Sequence, residues 1–413
     1  MGDNRPGFAR GAAAGLAAVA GTLTLSLTAT VSTAVQLTAN TLLVMGGTFN
    51  GTATFPLIQQ ELGGDPWYPA PNFDPIHRVG TFGHGYFDTA NNPASPFFGW
   101  DFVPVSWPAD ILPAALGRTP YEASQEQGLS NIDRVLSSTL AALGTGEKAS
   151  ALGYSSSANV MVREMRALQD RPGGAPATDH LQFFLLGNPN RPNGGILQRF
   201  AGLYVPLLDI PFDGSTPLDT PYTTTDVSWE YDAASDFPTY PIDLLAVVNA
   251  VVMGSIVHGN YFRADINGPR ALPDSTVGNI TYITLKTPHL PLLMPFYDIG
   301  VPAPLLDLIE PALTVMVDWG YDRSTGPGTP VTAGLLPRID PVTAVGQLVT
   351  AVGQGVHDFV ADLTPAVPSA AHMGATTVRS SSMGSRPRRS EPAGTPRSAA
   401  IAKLTVNAPK SLR

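Results

Sequence analysis

The body of the chain alternates between two patterns of apolar residues. Short apolar or alternating runs that end at glycine or polar residues predict strands at residues 41–45, 101–107, 149–152, 181–186, 226–231 and 280–285. Longer stretches, either wholly apolar or apolar at three- and four-residue spacing, predict helices at residues 121–143, 158–168, 242–257 and 305–317. Strands that alternate with helices are typical of a mostly parallel sheet, so we predict an α/β fold with helices flanking a central sheet.

The N-terminal region has a different pattern. Arg5 and Arg10 precede residues 11–60, which contain no Asp, Glu, Lys or Arg. The first part, residues 11–34, is rich in Ala, Leu, Val and Thr and ends in small residues, as a secretory signal peptide does. It is also long enough to cross a bilayer, for which about 20 residues suffice. We therefore expect residues 1–34 to be a signal peptide or a membrane anchor, and the protein to be exported to the cell envelope or secreted.

The C-terminal region is basic and poor in large apolar residues. Residues 366–413 contain eight Lys or Arg against one acid, and Ser, Pro, Ala and Thr make up most of the rest. Such a composition buries too little apolar surface to offset the entropy lost on ordering. We predict a basic disordered tail here, which leaves residues 35–365 as one folded domain.

Composition and charge exclude several kinds of function. The chain has a net charge of −9, whereas nucleic-acid binding needs clustered Lys and Arg, so we expect no nucleic-acid partner. It contains no cysteine, which excludes disulfides, thiolate metal sites and a cysteine nucleophile. No phosphate-binding loop and no metal-ligand motif is present, so we predict neither a metal nor another cofactor.

One short motif carries most of the chemical information. Residues 153–157 read G-Y-S-S-S, between the predicted strand at 149–152 and the helix that follows. This arrangement predicts a nucleophile elbow, in which Ser155 lies on a sharp strand-to-helix turn with its hydroxyl exposed above the sheet. The tight turn requires small residues two positions before and after the serine. Gly153 meets this requirement, whereas Ser157 stands where glycine is usual.

A serine nucleophile needs a histidine base and a carboxylate that orients the histidine. In α/β-hydrolases the order along the chain is serine, then acid, then histidine. Asp232 follows a predicted strand, where such sheets place functional groups, and Asp236 is the alternative acid. His258 and His289 both satisfy the order, and the residues alone leave the choice between them open.

The oxyanion of an acyl-transfer intermediate needs hydrogen-bond donors. We expect one to be the backbone N–H of Ser156, the residue after the nucleophile. The second is expected from the glycine-rich loop after the first strand, at Gly47 and Thr48, where the Thr48 hydroxyl could add a further donor.

Several stretches in the same order resemble one family of serine α/β-hydrolases, the PE-PPE domain of mycobacteria and their relatives, which is itself similar to cutinases. The resembling stretches are L-L-V-M-G-G-T (42–48), G-Y-S-S-S (153–157), N-P-N-R-P-N-G-G-I-L (188–197), Y-D-A-A-S-D-F-P (231–238), H-G-N-Y (258–261), H-L-P-L-L (289–293) and V-M-V-D-W-G-Y-D-R (315–323). The resemblance implies an α/β-hydrolase fold for residues 35–365. The disulfides of cutinases are absent, and so is the PE or PPE module that often precedes the domain, from which we expect export by a general route.

The resemblance also assigns roles to the candidate residues. It implies Ser155 as nucleophile, Asp232 as orienting acid and His258 as base, while His289 falls in a segment that the family uses as a structural turn. Gly47 and Thr48 match the cutinase-like oxyanion loop.

Three functions follow as hypotheses. The first is an exported esterase or lipase that cleaves acyl esters through an acyl-serine intermediate. The second is an acyltransferase that moves fatty acyl groups onto hydroxyls of cell-envelope glycolipids by the same mechanism. The third is a non-catalytic envelope protein. The expected partners are an acyl-ester or lipid substrate and, through the N-terminus, a membrane or the envelope.

Overall fold

A central sheet of seven strands organises the part of the chain that the computed structural model describes, residues 40–49, 51, 93, 95–116, 118–171 and 176–363. The strands are β1 (Thr41–Met45), β2 (Asp101–Pro104), β3 (Ala149–Tyr154), β4 (Leu181–Leu186), β7 (Thr223–Trp229), β8 (Arg270–Val277) and β9 (Ile280–Leu285), with β5 (Tyr204–Val205) and β6 (Ile210–Pro211) forming a separate antiparallel pair. The segments predicted as signal or anchor and as basic tail lie outside the described residues.

Seven α-helices are described, together with short 3₁₀ turns at Ala114–Leu116, His258–Arg263 and Pro291–Leu293. The helices are α1 (Tyr121–Ala142), α2 (Ser156–Gln169), α3 (Ile196–Arg199), α4 (Leu244–Ile256), α5 (Met294–Asp298), α6 (Ala303–Asp318) and α7 (Pro341–Leu363). No helix of the described ranges combines the length and the apolar character needed to cross a bilayer.

The order of strands across the sheet is β2-β1-β3-β4-β7-β9-β8. Every neighbouring pair is parallel except β8 and β9, which are antiparallel. The predicted α/β-hydrolase fold, a mostly parallel sheet flanked by helices, is therefore confirmed.

Both faces of the sheet are covered, and this explains the continuous apolar run of β1. Leu43 and Met45 point to the face covered by α1 and α2, whereas Leu42 and Val44 belong to the core on the other face. All five residues of β1 are buried. A strand buried on both sides reads as an apolar run rather than as an alternation, which is why its bounds were predictable.

Two of the longer elements, and the short α3, α5, β5 and β6, were not predicted. β8 is an edge strand with mostly exposed or half-buried residues, so it has no apolar pattern, and it is held by its hairpin with β9 through Gly278, whose φ is 59°. α7 begins after Asp340, whose carboxylate accepts a hydrogen bond from the Thr343 N–H at 2.8 Å, and Pro341 suits its first position. Most of its large apolar residues face away from the domain.

Candidate active site

Ser155 lies at the turn between β3 and α2, in a conformation that few residues adopt. Its φ is 57° and its ψ is −122°, and its backbone N–H donates to the carbonyl of Leu186 at 2.8 Å. Left-handed φ in a non-glycine residue is sustained only where the surroundings hold it, and such strain is frequent at functional sites. The turn also requires a glycine before it, because a Cβ on Gly153 would lie 2.5 Å from the carbonyl oxygen of Ser157. The strand–turn–helix geometry of a nucleophile elbow is present.

Ser157 departs from the usual glycine for a structural reason. It is fully buried, and its hydroxyl donates to the carbonyl of Met45 at 2.8 Å while accepting from the N–H of Tyr154, also at 2.8 Å. The side chain therefore ties the elbow to the end of β1. A glycine would leave both of these backbone groups without this partner.

The structure brings the predicted base and acid to the serine. His258 opens the 3₁₀ turn after α4, and its Nε2 lies 2.8 Å from the Ser155 Oγ. Its Nδ1 lies 2.8 Å from Oδ2 of Asp232, which is on the loop after β7. Because the Asp232 carboxylate only accepts, Nδ1 carries the proton and Nε2 is left to accept the Ser155 hydroxyl. This hydrogen-bonded chain has the geometry of a Ser-His-Asp triad.

The Asp232 carboxylate is completely buried, yet it stays ionised. Burial acts to raise its pKa, but interactions with His258 and hydrogen bonds from Tyr261 and the Ala234 N–H outweigh burial and hold the pKa below its usual value. The four donors are His258 Nδ1, the Tyr261 hydroxyl at 2.5 Å, the Ser235 hydroxyl at 2.9 Å and the Ala234 N–H at 2.9 Å. The histidine thus faces a fixed negative charge.

Tyr261 is a site residue to which the sequence analysis gave no role. Its hydroxyl donates to Asp232 and accepts from the backbone N–H of Trp229 at 2.9 Å, and burial together with the charge of Asp232 raises its pKa well above the usual value. The H-G-N-Y motif could have indicated this role from the sequence. A 3₁₀ turn has three residues per turn, so it places residues 258 and 261 on the same side.

The predicted oxyanion loop lies against the elbow. A Cβ on Gly47 would come within 3.0 Å of the Ser155 Cβ, so only glycine lets the backbone approach this closely. The Thr48 hydroxyl donates to the Ser156 hydroxyl at 2.9 Å, which joins the loop after β1 to the start of α2. Trp107 also anchors the loop, because its indole N–H donates to the Gly46 carbonyl at 3.0 Å. Gly47, Thr48 and Ser156 thus lie beside the nucleophile, while the Thr48 hydroxyl itself is engaged.

Asp236, the alternative acid, takes part in a different interaction. Its carboxylate accepts two hydrogen bonds from the Arg323 guanidinium, at 2.7 and 2.8 Å, and a third from the Tyr231 N–H at 2.7 Å. A bidentate pair of this kind is strong and directional. The pair joins the loop that carries Asp232 to the loop after α6.

His289, the alternative base, lies in another cluster. Its Nδ1 is 3.0 Å from Glu310 Oε2, and its ring stacks on Tyr297 with ring centroids 4.0 Å apart. The Tyr297 hydroxyl donates to both Glu310 and Asp307. In the part of the chain that the structure describes, these two acids and His289 are the one group whose possible metal-ligand atoms lie within 4.8 Å of one another. Hydrogen bonds account for this arrangement, whereas the histidine that contacts Ser155 is His258.

The N-P-N-R motif is structural. Arg191 is only 1% exposed, and its guanidinium donates to Asp226 Oδ1 at 2.8 Å and to the Thr284 hydroxyl at 2.8 Å. Asn188 donates to the other oxygen of Asp226 at 2.7 Å. These contacts connect the loop after β4 to β7 and β9, which lie beside it in the sheet.

The architecture is thus that of an α/β-hydrolase, with a serine, a histidine and an aspartate joined by hydrogen bonds at the ends of its strands. Residues 99–322, more than half of the chain, match the family model of the PE-PPE domain. The chain belongs to the PE-PPE domain family.

Similar proteins from Mycobacterium tuberculosis are named either as an esterase or as acyltransferases. The chain is 39% identical to Esterase PE16 over 69% of its own length and 53% of that protein. It is 27% identical to Diacyltrehalose acyltransferase Chp2 over 74% of its length and 84% of Chp2, and 27% identical to SL1278 acyltransferase Chp1 over 54% of each chain. The chain spans about half the length of most of the curated relatives it matches.

Proposed function

We propose that this protein is a serine esterase that cleaves acyl esters through an acyl-serine intermediate. The observation that carries the proposal is the chain of hydrogen bonds from Ser155 through His258 to Asp232, with the serine at a strained elbow. The name of Esterase PE16, at 39% identity, supports the same reaction class.

In the first step Ser155 Oγ attacks the acyl carbonyl while His258 Nε2 takes its proton. The carbonyl oxygen becomes an oxyanion, and the Ser156 N–H together with backbone N–H groups of the Gly47–Thr48 loop is proposed to donate to it. The imidazolium formed on His258 faces the ionised Asp232, which stabilises the charge without taking the proton. His258 then protonates the departing alcohol, which leaves the acyl group on Ser155.

In the second step an acceptor hydroxyl enters in place of the alcohol. His258 removes its proton, its oxygen attacks the acyl-serine, and the proton returns to Ser155 as the product leaves. With water as acceptor the product is a carboxylic acid, which is the esterase reaction. With an alcohol as acceptor the product is a new ester.

Acyl transfer to a glycolipid hydroxyl is therefore the second candidate. It is favoured by the alignment with Diacyltrehalose acyltransferase Chp2, which covers 84% of that protein. Both candidates use the same three residues and differ in whether water or an alcohol reaches the acyl-serine. We further propose an acyl ester of a lipid as substrate, export to the cell envelope, and association with a membrane or the envelope through the N-terminal segment.

The nucleophile is tested with a fluorophosphonate probe, which reacts with activated serines. We expect one adduct in the full-length chain, mapped to the peptide that contains Ser155, and none in Ser155→Ala or His258→Ala. His289→Ala is the matched control, because His289 also pairs with a carboxylate but lies in the other cluster. Absence of label on Ser155 would support a non-catalytic protein instead.

The acceptor is tested by product analysis. The enzyme is given a p-nitrophenyl ester with and without a trehalose-containing glycolipid, and the acyl products are identified by mass spectrometry. Free fatty acid in both reactions indicates an esterase. A new acyl ester of the glycolipid, formed at the expense of the free acid and absent in Ser155→Ala, indicates a transferase.

A further inference from the structure

Helix α7 presents a continuous row of apolar side chains away from the domain. We call this row the α7 stripe, and each member is between 50% and 80% exposed. Its members are Val342, Val345, Val349, Val352, Val356, Val360 and Leu363. A monomeric protein rarely exposes apolar residues as an extended contiguous patch unless another surface covers it.

The stripe cannot turn inward, because a different side of α7 is already packed against the domain. Ala351 is buried, and a Cβ on Gly355 would lie 2.0 Å from the carbonyl oxygen of Leu308 in α6. On a helix with 3.6 residues per turn, positions 351 and 355 lie about 100–140° around the helix axis from the centre of the stripe. The orientation of α7 is therefore set by α6, and the stripe remains at the surface.

The spacing of the stripe fits one helical partner. The first five members are separated by 3, 4, 3 and 4 residues, which is the a/d pattern of a heptad repeat, and the last two members are shifted from that pattern by no more than one residue. Such a pattern makes a narrow seam that fits a single facing helix, whereas a helix lying in a membrane surface carries a broader apolar face.

The charged residues of α7 also favour a protein partner over a membrane surface. α7 contains no Lys or Arg, and its charged residues are Asp358 and Asp362. Helices that bind anionic lipid surfaces carry Lys and Arg beside the apolar face, so a bilayer is a poor match for this one. A second protein helix imposes no such requirement.

The flank of the stripe leaves room for a helix. Gly346 and Gly353 lie next to it on the helix surface, and a Cβ built on either would meet no atom within 4 Å. Without side chains on this flank, a facing helix can approach closely.

The available area is sufficient for self-association. Fully burying a side chain of this size contributes about 1.5–3 kcal/mol. At about 25 cal/mol per Å² of apolar surface, this corresponds to roughly 60–120 Å² of buried surface for each side chain. At the observed exposures, seven such residues on each of two copies supply on the order of 500–1,000 Å² of apolar contact. With a polar rim this reaches the range of about 1,200–2,000 Å² that stable interfaces bury.

We propose that the α7 stripe pairs with the same stripe of a second copy of this chain, so that the protein is a symmetric homodimer. The interface is isologous, since the same residues contribute from both sides. The prediction does not depend on which acyl acceptor the active site uses.

The first test is the oligomeric state of the full-length chain, measured by sedimentation velocity with Val352→Glu as the disrupting variant. Val352 is near the middle of the stripe, so two glutamates would face the seam of the dimer. We expect a dimer for the unchanged chain and a dissociation constant at least 100-fold weaker for Val352→Glu. His357→Glu is the control, because His357 is 76% exposed on the same helix but lies outside the stripe. Its dissociation constant should not change, and all three proteins should have similar circular dichroism and ester hydrolysis.

The second test uses the absence of cysteine from the chain, which makes any introduced thiol unique. Val345→Cys, Val349→Cys and Val352→Cys are oxidised separately, with His357→Cys as control. Parallel pairing gives a disulfide-linked dimer at all three stripe positions, and antiparallel pairing gives one only near the two-fold axis. Either pattern supports the proposal, provided that the control does not cross-link.

Three results would overturn the proposal of a homodimer. The first is an unchanged chain that stays monomeric at all concentrations, with stripe thiols cross-linking no faster than the control. The second is a monomer that binds anionic vesicles and loses this binding in Val352→Glu, which would assign the stripe to a lipid surface. The third is a monomer whose thiol at position 352 resists a soluble maleimide, which would show that another segment of the same chain covers the stripe.

Discussion

Replacing Asp232 by asparagine tests the central claim about the site. The change keeps the size of the side chain and removes its charge. Oδ2 of Asp232 accepts hydrogen bonds from His258, Tyr261 and Ser235, and Oδ1 accepts from the Ala234 N–H. An asparagine that turns its amide oxygen toward the first three donors must place its NH₂ group against the Ala234 N–H.

Two separate losses follow from this geometry. One buried donor is left without an acceptor, which costs about 1–3 kcal/mol of folding free energy. The imidazolium of the transition state also loses its counter-charge. Two charges centred about 4 Å apart attract by about 4 kcal/mol at an effective dielectric constant of about 20. That corresponds to roughly 10³-fold in rate, and loss of the correct tautomer brings the expected fall in kcat to about 10⁴-fold.

The assay is steady-state hydrolysis of a p-nitrophenyl ester, with the folded fraction measured on the same samples by urea unfolding. Asp236→Asn is the matched control. It also removes one carboxylate charge, four residues later in the chain, but that carboxylate pairs with Arg323. It should lower stability while leaving kcat per folded molecule within several-fold of the original. If Asp232→Asn retained more than about a tenth of the kcat, the carboxylate would not be the partner of His258, and the assignment of the triad would be wrong.

Three further changes test other parts of the structure. Ser157→Ala removes the hydroxyl that joins Tyr154 and Met45, so we expect a loss of about 1–3 kcal/mol in urea unfolding with kcat nearly unchanged; a large fall in kcat without a loss of stability would contradict the structural role. Gly153→Ala places a Cβ 2.5 Å from a backbone carbonyl, so labelling by fluorophosphonate should be abolished, and normal labelling would refute the elbow geometry. Burial raises the pKa of Glu164 from 4.5 to about 7, so the folded state binds its proton more tightly than the unfolded chain and stability falls as the pH rises across this interval. Between pH 4.5 and pH 8 this should lower the free energy of unfolding by up to about 3 kcal/mol, as measured by urea unfolding. Glu164→Gln should remove this pH dependence, and a pH profile that is the same in the variant would contradict the raised pKa.

Three strands buried on both faces could be predicted from the sequence with their bounds, whereas β3 was predicted two residues short of its end at Tyr154. β1, β4 and β9 each form an unbroken or nearly unbroken apolar run, because neighbouring elements cover both of their faces. β7 was predicted three residues late, since it begins with the polar Thr223 and is held there by its neighbours in the sheet rather than by an apolar face. β8 had no local signal, because it is an exposed edge strand.

The candidate site was predictable where local pattern and chemistry coincide. The elbow is a short motif between a strand and a helix, so Ser155 could be found from nearby residues. The partner histidine could not, because its contact with the serine joins residues 103 positions apart. His258 and His289 both pair with a carboxylate, and local sequence pattern does not show which of them reaches the nucleophile. The resemblance to a family supplied this information in advance of the structure.

The buried Arg191 has a consequence for how much of the chain is needed to form a stable domain. Its guanidinium is neutralised by Asp226 in β7 and hydrogen-bonded to Thr284 in β9, so its partners lie 35 and 93 residues further along the chain. A fragment that ended before β9 would bury a cation with an incomplete set of acceptors, which is strongly destabilising. Nascent chains shorter than this should therefore stay unfolded and open to proteases, and the domain should become resistant only when β9 has been added. Truncations before and after Leu285 would locate that threshold.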